Sequence, residues 1–304
     1  MKNLLQITIL TRNRSEFLKQ TIESVLNQKK TALKYELIIS DNSDSDNSKE
    51  DFENLYKSAD IKYIKRSIAV PAREHFDLVV SELSAEYSVL LHDDDILLPN
   101  FIDEMSTFIV NTEAAAVGSN AFIFSDDILM ADKKMHNCRA IKRFDNKKEF
   151  LERYLPCNGG IAPYPSYMYR TDFLKLAFQA NLMKGKHADV GLLTSLLDYG
   201  PIFWFDKPLM YYRVHESNDS KTESVHDRLE LIRRMTKEGV SATSLKFKLF
   251  KIIFWLNWIS QQPFFINISN RRYRWILASF AISVIKAVTR YDFWFLIGSR
   301  YIKK

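Results

Sequence analysis

The sequence predicts an α/β fold: a mostly parallel, Rossmann-like sheet flanked by helices, with a basic helical C-terminal tail. Three observations predict it. Strand-like and helix-like segments alternate four times in roughly the first ninety residues, the pattern of βαβ units with right-handed crossovers. Three of the predicted strands run straight into polar clusters. Residues 245–304 then change character, becoming apolar, aromatic and studded with Lys and Arg.

Taken in order, LQITILT at 5–11 is an apolar, β-branched run suited to a buried strand. Ser15 is placed to cap a helix reaching about Gln28, with Leu18, Ile22, Val25 and Leu26 on one face. YELIIS at 35–40 predicts the second strand, and Asp41 to Lys49 follows with no apolar residue. A helix at 51–58, a strand at 61–65, a helix at 72–84 and the strand YSVLLH at 87–92 complete the alternation. Pro99 can open a helix through about Val110. Beyond it the sequence predicts one or two strands in 114–125 and a loop in PCNGGIAPYPS at 156–166. Helices near 171–183 and 187–199 and strand-like runs at 201–205 and 208–214 follow.

In such a sheet, ligands sit beyond the carboxyl ends of the strands. Three polar clusters fall there: Thr11 to Arg14, Asp41 to Asp46, and Asp93 to Asp95. Neither GxGxxG nor GxxxxGK[ST] occurs, and the chain has only eight glycines. A dinucleotide fingerprint and a P-loop are therefore excluded, and phosphates fall to metal and side chains instead. Three adjacent carboxylates repel one another unless a cation neutralises them. Oxygen ligands favour Mg²⁺ or Mn²⁺, which keep positions open for substrate phosphates. The competing reading is a solvated acidic turn before a helix.

With 46% hydrophobic and 26% charged residues the chain is globular rather than disordered. Its net charge of +6 is uneven: residues 245–304 hold eleven Lys/Arg against Asp292, a net +10, which leaves 1–244 at −4. That excludes a nucleic-acid binder acting through the whole surface and points the tail at an anionic partner. Its apolar stretches are broken by Gln261, Gln262 and Pro263, and by Lys286, Arg290 and Asp292. They predict interfacial amphipathic helices rather than spans, with ordinary packing on the globular part as the alternative. Cys138 and Cys157 are too far apart for a chelating motif, so two lone thiols predict a reducing compartment. The opening MKNLLQITIL lacks a signal-peptide pattern, and a cytoplasmic protein, peripheral on the inner face of the cell membrane, is expected.

YSVLLHDDDILLPNFI resembles the signature of the family 2 glycosyltransferases, in which a hydrophobic strand enters an aspartate-rich metal motif and an apolar-Pro helix follows. ITILTRNRSEFLKQTIESVLNQ is similar to that family's opening strand, Thr-x-Asn-Arg turn and helix. ELIISDNSDSD resembles its second strand, and HADVGLLTSLLDYGPIFWFDKPLMYYRVHESNDS its later part. The resemblance spans residues 5 to about 220.

It implies a GT-A-like fold in which residues 1–110 bind nucleotide and 111–220 bind acceptor, with 221–304 as the basic helical region. By position, Thr11 and Asn13 shape the base pocket, Arg12 lies against the base, and Arg14 belongs to the same nucleotide-sugar site. Asp41 accepts from base or ribose, and Asp93 lies near ribose and diphosphate. Arg73, on the helix before the fourth strand, is assigned to the nucleotide-sugar site as well, and Asp77 on the same helix stands where the family usually has asparagine. Asp94 binds the metal, with Asp95 a second ligand or its anchor. His92 stands where the family often has aspartate, so which carboxylates touch the ion stays open. Asp189 is implied as the base that takes the acceptor proton; a carboxylate serving a helix N-terminus is the alternative. Arg213 and His215 would close over the diphosphate, His215 as a third metal ligand or as a structural histidine. His187 is expected on the surface, and Tyr164, Tyr167 and Tyr169 as acceptor platforms or ordinary packing.

The implied activity is inverting transfer of a sugar from a nucleoside-diphosphate donor, UDP above all, with Mn²⁺ or Mg²⁺. The acceptor would be a glycan or lipid-linked glycan, as in bacterial O-antigen or capsule assembly. A sugar nucleotidyltransferase lacks support, because no Gly-rich, Arg/Lys-bearing loop opens the chain. A non-catalytic membrane scaffold fits poorly with an intact set of Asp41, Asp94 and Asp189.

Overall fold

The computed structural model describes residues 5–29, 31, 33–44, 52, 56, 60–125, 128, 131, 133–136, 141–156, 158–181, 183, 185–215 and 224–260. Cys138, Cys157, most of the helix expected at 51–58, and the tail from 261 lie outside the described residues. The chain divides into two compact units, Met1–Phe150 with Ile161–Leu231, and Leu151–Gly160 with Ile232–Lys304.

The first unit is built on a mixed sheet. Strands β1 (Leu5–Thr11), β2 (Tyr35–Asp41), β3 (Ile61–Lys65) and β4 (Tyr87–His92) appear where the apolar runs predict them. They lie parallel in the order β3-β2-β1-β4. Between them run α1 (Ser15–Leu26) and α2 (Ala72–Glu82). Every residue of β1 is buried, as a central strand covered on both faces requires. Arg14 occupies the N-cap position of α1 without a side-chain cap bond, so Ser15 is the first helical residue and not the cap. The buried face of α1 is Leu18, Thr21, Ile22 and Val25, while Leu26 is 41% exposed. Thr21 thus takes the place expected of Leu26, because positions 18, 21, 22 and 25 share one helical face.

The sheet continues through β8 (Met168–Arg170), β6 (Ala116–Phe124), β9 (Ile202–Arg213) and the two-residue β5 (Ile96–Leu97), with β7 (Lys142–Phe144) also on β9. Strand β8 is antiparallel to both β4 and β6, whereas β6 and β9 are parallel. The runs at 201–205 and 208–214 are one strand. Its register against β6 shifts around Asn120, whose side-chain amide donates to the backbone carbonyls of His136 and Asp206. That irregularity absorbs the polar pair Asp206–Lys207 without ending the strand. Helices α3 (Phe101–Val110) and α5 (Thr171–Ala180) pack on the sheet, with α6 (Ala188–Leu196) against α5; α4 (Lys147–Glu152) follows β7 in the chain. Phe101, Ile102, Met105 and Ile109 of α3 join β1, β2 and β4 in one apolar core.

The second unit contains the C-terminal part of α7 (Val225–Lys237), from Ile232 on, and α8 (Leu245–Ser260). The turn after α7 has Gly239 at φ 85°, a left-handed position that glycine adopts without a Cβ penalty. In α8, Leu245, Phe247, Phe250, Ile252, Phe254 and Trp255 are buried. No helix among the described residues is long and apolar enough to cross a membrane.

Candidate active site

Parallel register sets the site. Thr11 pairs with Asp41, Leu10 with His92, and Asp41 with Lys65. The carboxyl ends of four strands therefore finish level, and the three polar clusters predicted from the sequence meet at one edge.

The acidic turn is pinned from three sides. From β1, the Thr11 hydroxyl donates to Asp93 Oδ2 at 2.7 Å, and the Arg12 N–H reaches the same oxygen at 3.2 Å. From α1, the buried Thr21 hydroxyl lies 2.8 Å from the carbonyls of both Asp93 and Asp95. From β9, Arg213 donates its backbone N–H to Asp95 Oδ1 at 3.1 Å and its Nε to the Asp94 carbonyl at 2.9 Å. The short β5 aligns this last contact by pairing Ile96 with Tyr211. Arg213 is only 5% exposed. Its guanidinium lies between the Phe17 and Phe124 rings, 4.5 and 4.4 Å from their centroids, and bonds Gln20. Expected to close over a diphosphate, Arg213 here lies buried against the turn, with Nε on the Asp94 carbonyl and Nη2 on Gln20.

Arg14 and His215 converge on one oxygen. Arg14 Nη1 lies 2.9 Å from Asp94 Oδ2 and 3.3 Å from Asp93 Oδ1. His215 Nε2 lies 2.9 Å from the same Asp94 Oδ2. The turn carrying Arg14 is fixed by Asn13, at φ 56°, a left-handed conformation that Asn tolerates better than most residues. Asn13 N–H donates to Ser43 Oγ, its side-chain amide bonds Asp44, and Asp44 N–H donates back to Asn13 Oδ1. Arg12 pairs with Asp44 at 3.2 Å and lies half-exposed across this corner.

Asp41 is fully buried. Its Oδ1 accepts the Ser43 N–H at 2.8 Å, and its Oδ2 accepts the Tyr63 hydroxyl and lies 3.8 Å from Lys65 Nζ. Asp41 thus organises the loop after β2 from beneath.

A second group lines the edge next to β4. Phe76, His92 and Tyr164 form a ring cluster with centroids 6.0–6.1 Å apart. Arg73 sits over the Phe178 ring at 4.3 Å and 3.6 Å from Asp77 Oδ1. Asp189, in the first turn of α6, accepts the Val190 N–H at 2.8 Å. Burial lifts its carboxyl above the usual range, against the opposing charges of His187 and His92. The expected base therefore feels the first residue of the acidic motif. Tyr167 and Tyr169 are fully buried and stack at 5.9 Å, so packing describes them and not an acceptor platform. His187 is half-buried.

Electrostatics divide the three aspartates. Burial raises Asp93, with the Thr11 bond and the Arg14 charge opposing it. Burial also works on Asp94, but His92, His215 and Arg14 outweigh it and hold its carboxyl low. Asp95 is raised well above the ordinary range by burial and by the charge of Asp94. Its Oδ2 has no hydrogen-bond partner among the described residues and lies 4.0 Å from His92 Nδ1. Ligand atoms of His92, Asp94 and Asp95 all fall within 4.8 Å of one another. Two carboxylate oxygens, one of them an unpaired buried acceptor, and an imidazole nitrogen suit Mn²⁺ or Mg²⁺. His92 offers a third ligand atom to such an ion that the sequence reading did not assign, and its place in the acidic motif was the available signal. Thr21, Ser43 and Tyr63 were also missed; only Thr21, a hydroxyl on an apolar helix face, carried a local clue.

The sequence matches the family model of glycosyl transferase family 2 over residues 6–176. No curated protein shows significant sequence similarity to the chain. Among solved structures it is similar to S. aureus TarS 1–349 in complex with UDP-GlcNAc, with a TM-score of 0.59, 14% identity, and coverage of 84% of this chain and 71% of that one. A second structure of TarS 1–349 matches with a TM-score of 0.59, 16% identity, and coverage of 95% and 81%. The complex of TarS 1–349 with UDP matches with a TM-score of 0.57, 14% identity, and coverage of 84% and 70%. Identity this low speaks for the shared GT-A-like fold alone.

Proposed function

The chain belongs to glycosyl transferase family 2, and from that premise we propose that it moves a sugar from a UDP-sugar to a glycan or lipid-linked acceptor, with inversion. The observation that carries this reading is the meeting of three polar strand ends around a buried acidic turn. The UDP-GlcNAc and UDP held by TarS, which shares the fold, support the choice of donor.

In this reading Thr11, Arg12 and Asn13 shape the base pocket and Asp41 supports it from below. Asp93 lies beside the ribose and diphosphate. Arg14 and Arg73 face the diphosphate charge, and Arg213 holds the turn that carries the aspartates. Asp94 and Asp95, with His92 beside them and His215 on Asp94, would hold Mn²⁺ or Mg²⁺, which would supply positive charge for a departing nucleoside diphosphate. Asp189 takes the proton from the attacking acceptor hydroxyl on its carboxylate, opposite the leaving group. Its raised pKa suits a base, since a more basic carboxylate holds that proton better.

Residues 1–220 serve as the catalytic domain in this reading, 1–110 for the nucleotide and 111–220 for the acceptor. The basic region 221–304 meets an anionic membrane surface, where each cation that reaches lipid contributes about 1 kcal/mol. The cations beyond 260 lie outside the described residues.

The test is incubation with a panel of nucleotide sugars, Mn²⁺ and candidate acceptors, following nucleoside-diphosphate release. Release should require metal and vanish in Asp94→Ala. Undiminished release by Asp94→Ala, or pyrophosphate as the product, defeats the proposal.

A further inference from the structure

Asp94 Oδ2 has two positive or potentially positive neighbours at 2.9 Å, Arg14 Nη1 and His215 Nε2. On the reading above, a divalent ion must approach the same carboxylate. A guanidinium and a dication on one carboxylate repel each other strongly where water is scarce, and Asp94 is only 7% exposed. A cation already on Asp94 therefore competes with the ion.

The two arginines at the turn are not equally free to give way. Arg213 is enclosed between two aromatic rings and bonded to main chain. Arg14 is a long side chain, 32% exposed, on a turn whose backbone is fixed by Asn13, Ser43 and Asp44. When its guanidinium swings out, neither aspartate is stranded. Asp93 keeps the Thr11 hydroxyl and the Arg12 N–H, and Asp94 keeps His215. The departing guanidinium needs an anion within its reach, and a donor diphosphate at the strand ends is one, matched to the fork of its N–H groups.

We propose that Arg14 is an exchangeable cation of the site: it neutralises Asp93 and Asp94, competes with the divalent ion for Asp94, and is drawn off by the donor diphosphate. Metal and nucleotide then bind cooperatively, because each removes an obstacle to the other. The coupling is reciprocal, as linkage requires. Arg14 is a positioning residue in this scheme, and removing it strengthens metal binding while weakening nucleotide binding.

The experiment titrates the full chain with Mn²⁺, reading free Mn²⁺ by electron paramagnetic resonance, with and without UDP. It compares wild type, Arg14→Met and Arg14→Lys. Without UDP, Arg14→Met should bind Mn²⁺ about tenfold more tightly than wild type, and Arg14→Lys should stay near wild type, within the usual range of site coupling. UDP should tighten Mn²⁺ binding by about tenfold in wild type and by far less in Arg14→Met. A general loss of folding weakens Mn²⁺ binding and cannot mimic the gain. Equal or weaker Mn²⁺ binding by Arg14→Met without UDP overturns the exchange while leaving the metal reading intact. So does a gain of equal size in Arg14→Lys. Absence of Mn²⁺ binding by all three proteins, with UDP present, overturns the metal reading and the exchange with it.

Discussion

Acidification from pH 7 to pH 5 should destabilise the protein through one buried imidazole, His75, which is 5% exposed beneath the end of β2. Ser40 Oγ lies 2.7 Å from His75 Nε2 and accepts two N–H groups of Arg66, from Nε at 3.0 Å and Nη2 at 2.8 Å. Both lone pairs of the hydroxyl are thereby used, so its own proton must point at Nε2. That nitrogen is an acceptor, and His75 is neutral. Burial and then the Arg66 charge lower its pKa from 6.5 to about 4, against the weaker pull of Asp41 and Glu82. The unfolded chain takes up a proton near pH 6.5 that the folded chain refuses until about 4. Stability is therefore full above pH 6.5, falls as pH drops, and levels off below about 4. Between pH 7 and pH 5 the loss from this one group is about 2 kcal/mol. Low exposure leaves little for solvent screening to remove. Urea denaturation at the two pH values, followed by fluorescence, measures it in wild type and His75→Gln. The variant should lose about 2 kcal/mol less than wild type over that interval, while shared titrations such as Glu82 cancel in the comparison. Equal losses in the two proteins would refute the neutral, Ser40-bonded imidazole.

Asp189→Asn should lower turnover by about a thousandfold with UDP affinity unchanged, as steady-state rates and calorimetry would show. In wild type, activity should fall as pH drops through the raised pKa of Asp189, above the ordinary carboxylate range, because only the ionised form accepts a proton; an acid limb that survives in residual Asp189→Asn activity would assign it elsewhere. Arg213→Met should destabilise the fold by about 3 kcal/mol, since it strips the Asp94 carbonyl and Gln20 of their donor; a melting temperature within a degree of wild type would contradict that role. Gly118→Ala should cost about 2 kcal/mol, because a Cβ there would sit 2.6 Å from the fully buried Tyr167 ring. An unchanged denaturation midpoint would show that the ring has room to yield.

The strands and their polar ends were legible because parallel strands buried on both faces need unbroken apolar runs. Polar residues at 11–14, 41–44 and 93–95 are therefore placed by where the runs stop. What escaped detection depends on partners far away in sequence. Strand β8 has three residues and β5 two, too short for any periodicity, yet β8 joins the two halves of the sheet and β5 aims β9 at the acidic turn. Arg213, read locally, is a free cation in a polar segment; its actual partners are Asp94, Asp95 and Gln20, each more than a hundred residues earlier. Asp41 likewise looks ligand-facing until Tyr63, twenty-two residues on, takes its oxygen. In each case a charge that local sequence offers to a ligand also has partners within the protein itself. Arg14 is the revealing intermediate. It too is taken, by Asp93 and Asp94, but from a side chain that remains partly exposed. A site that must hold three carboxylates together and still admit a dianionic donor needs a cation of this kind: close enough to offset the repulsion, and loosely enough held to be displaced.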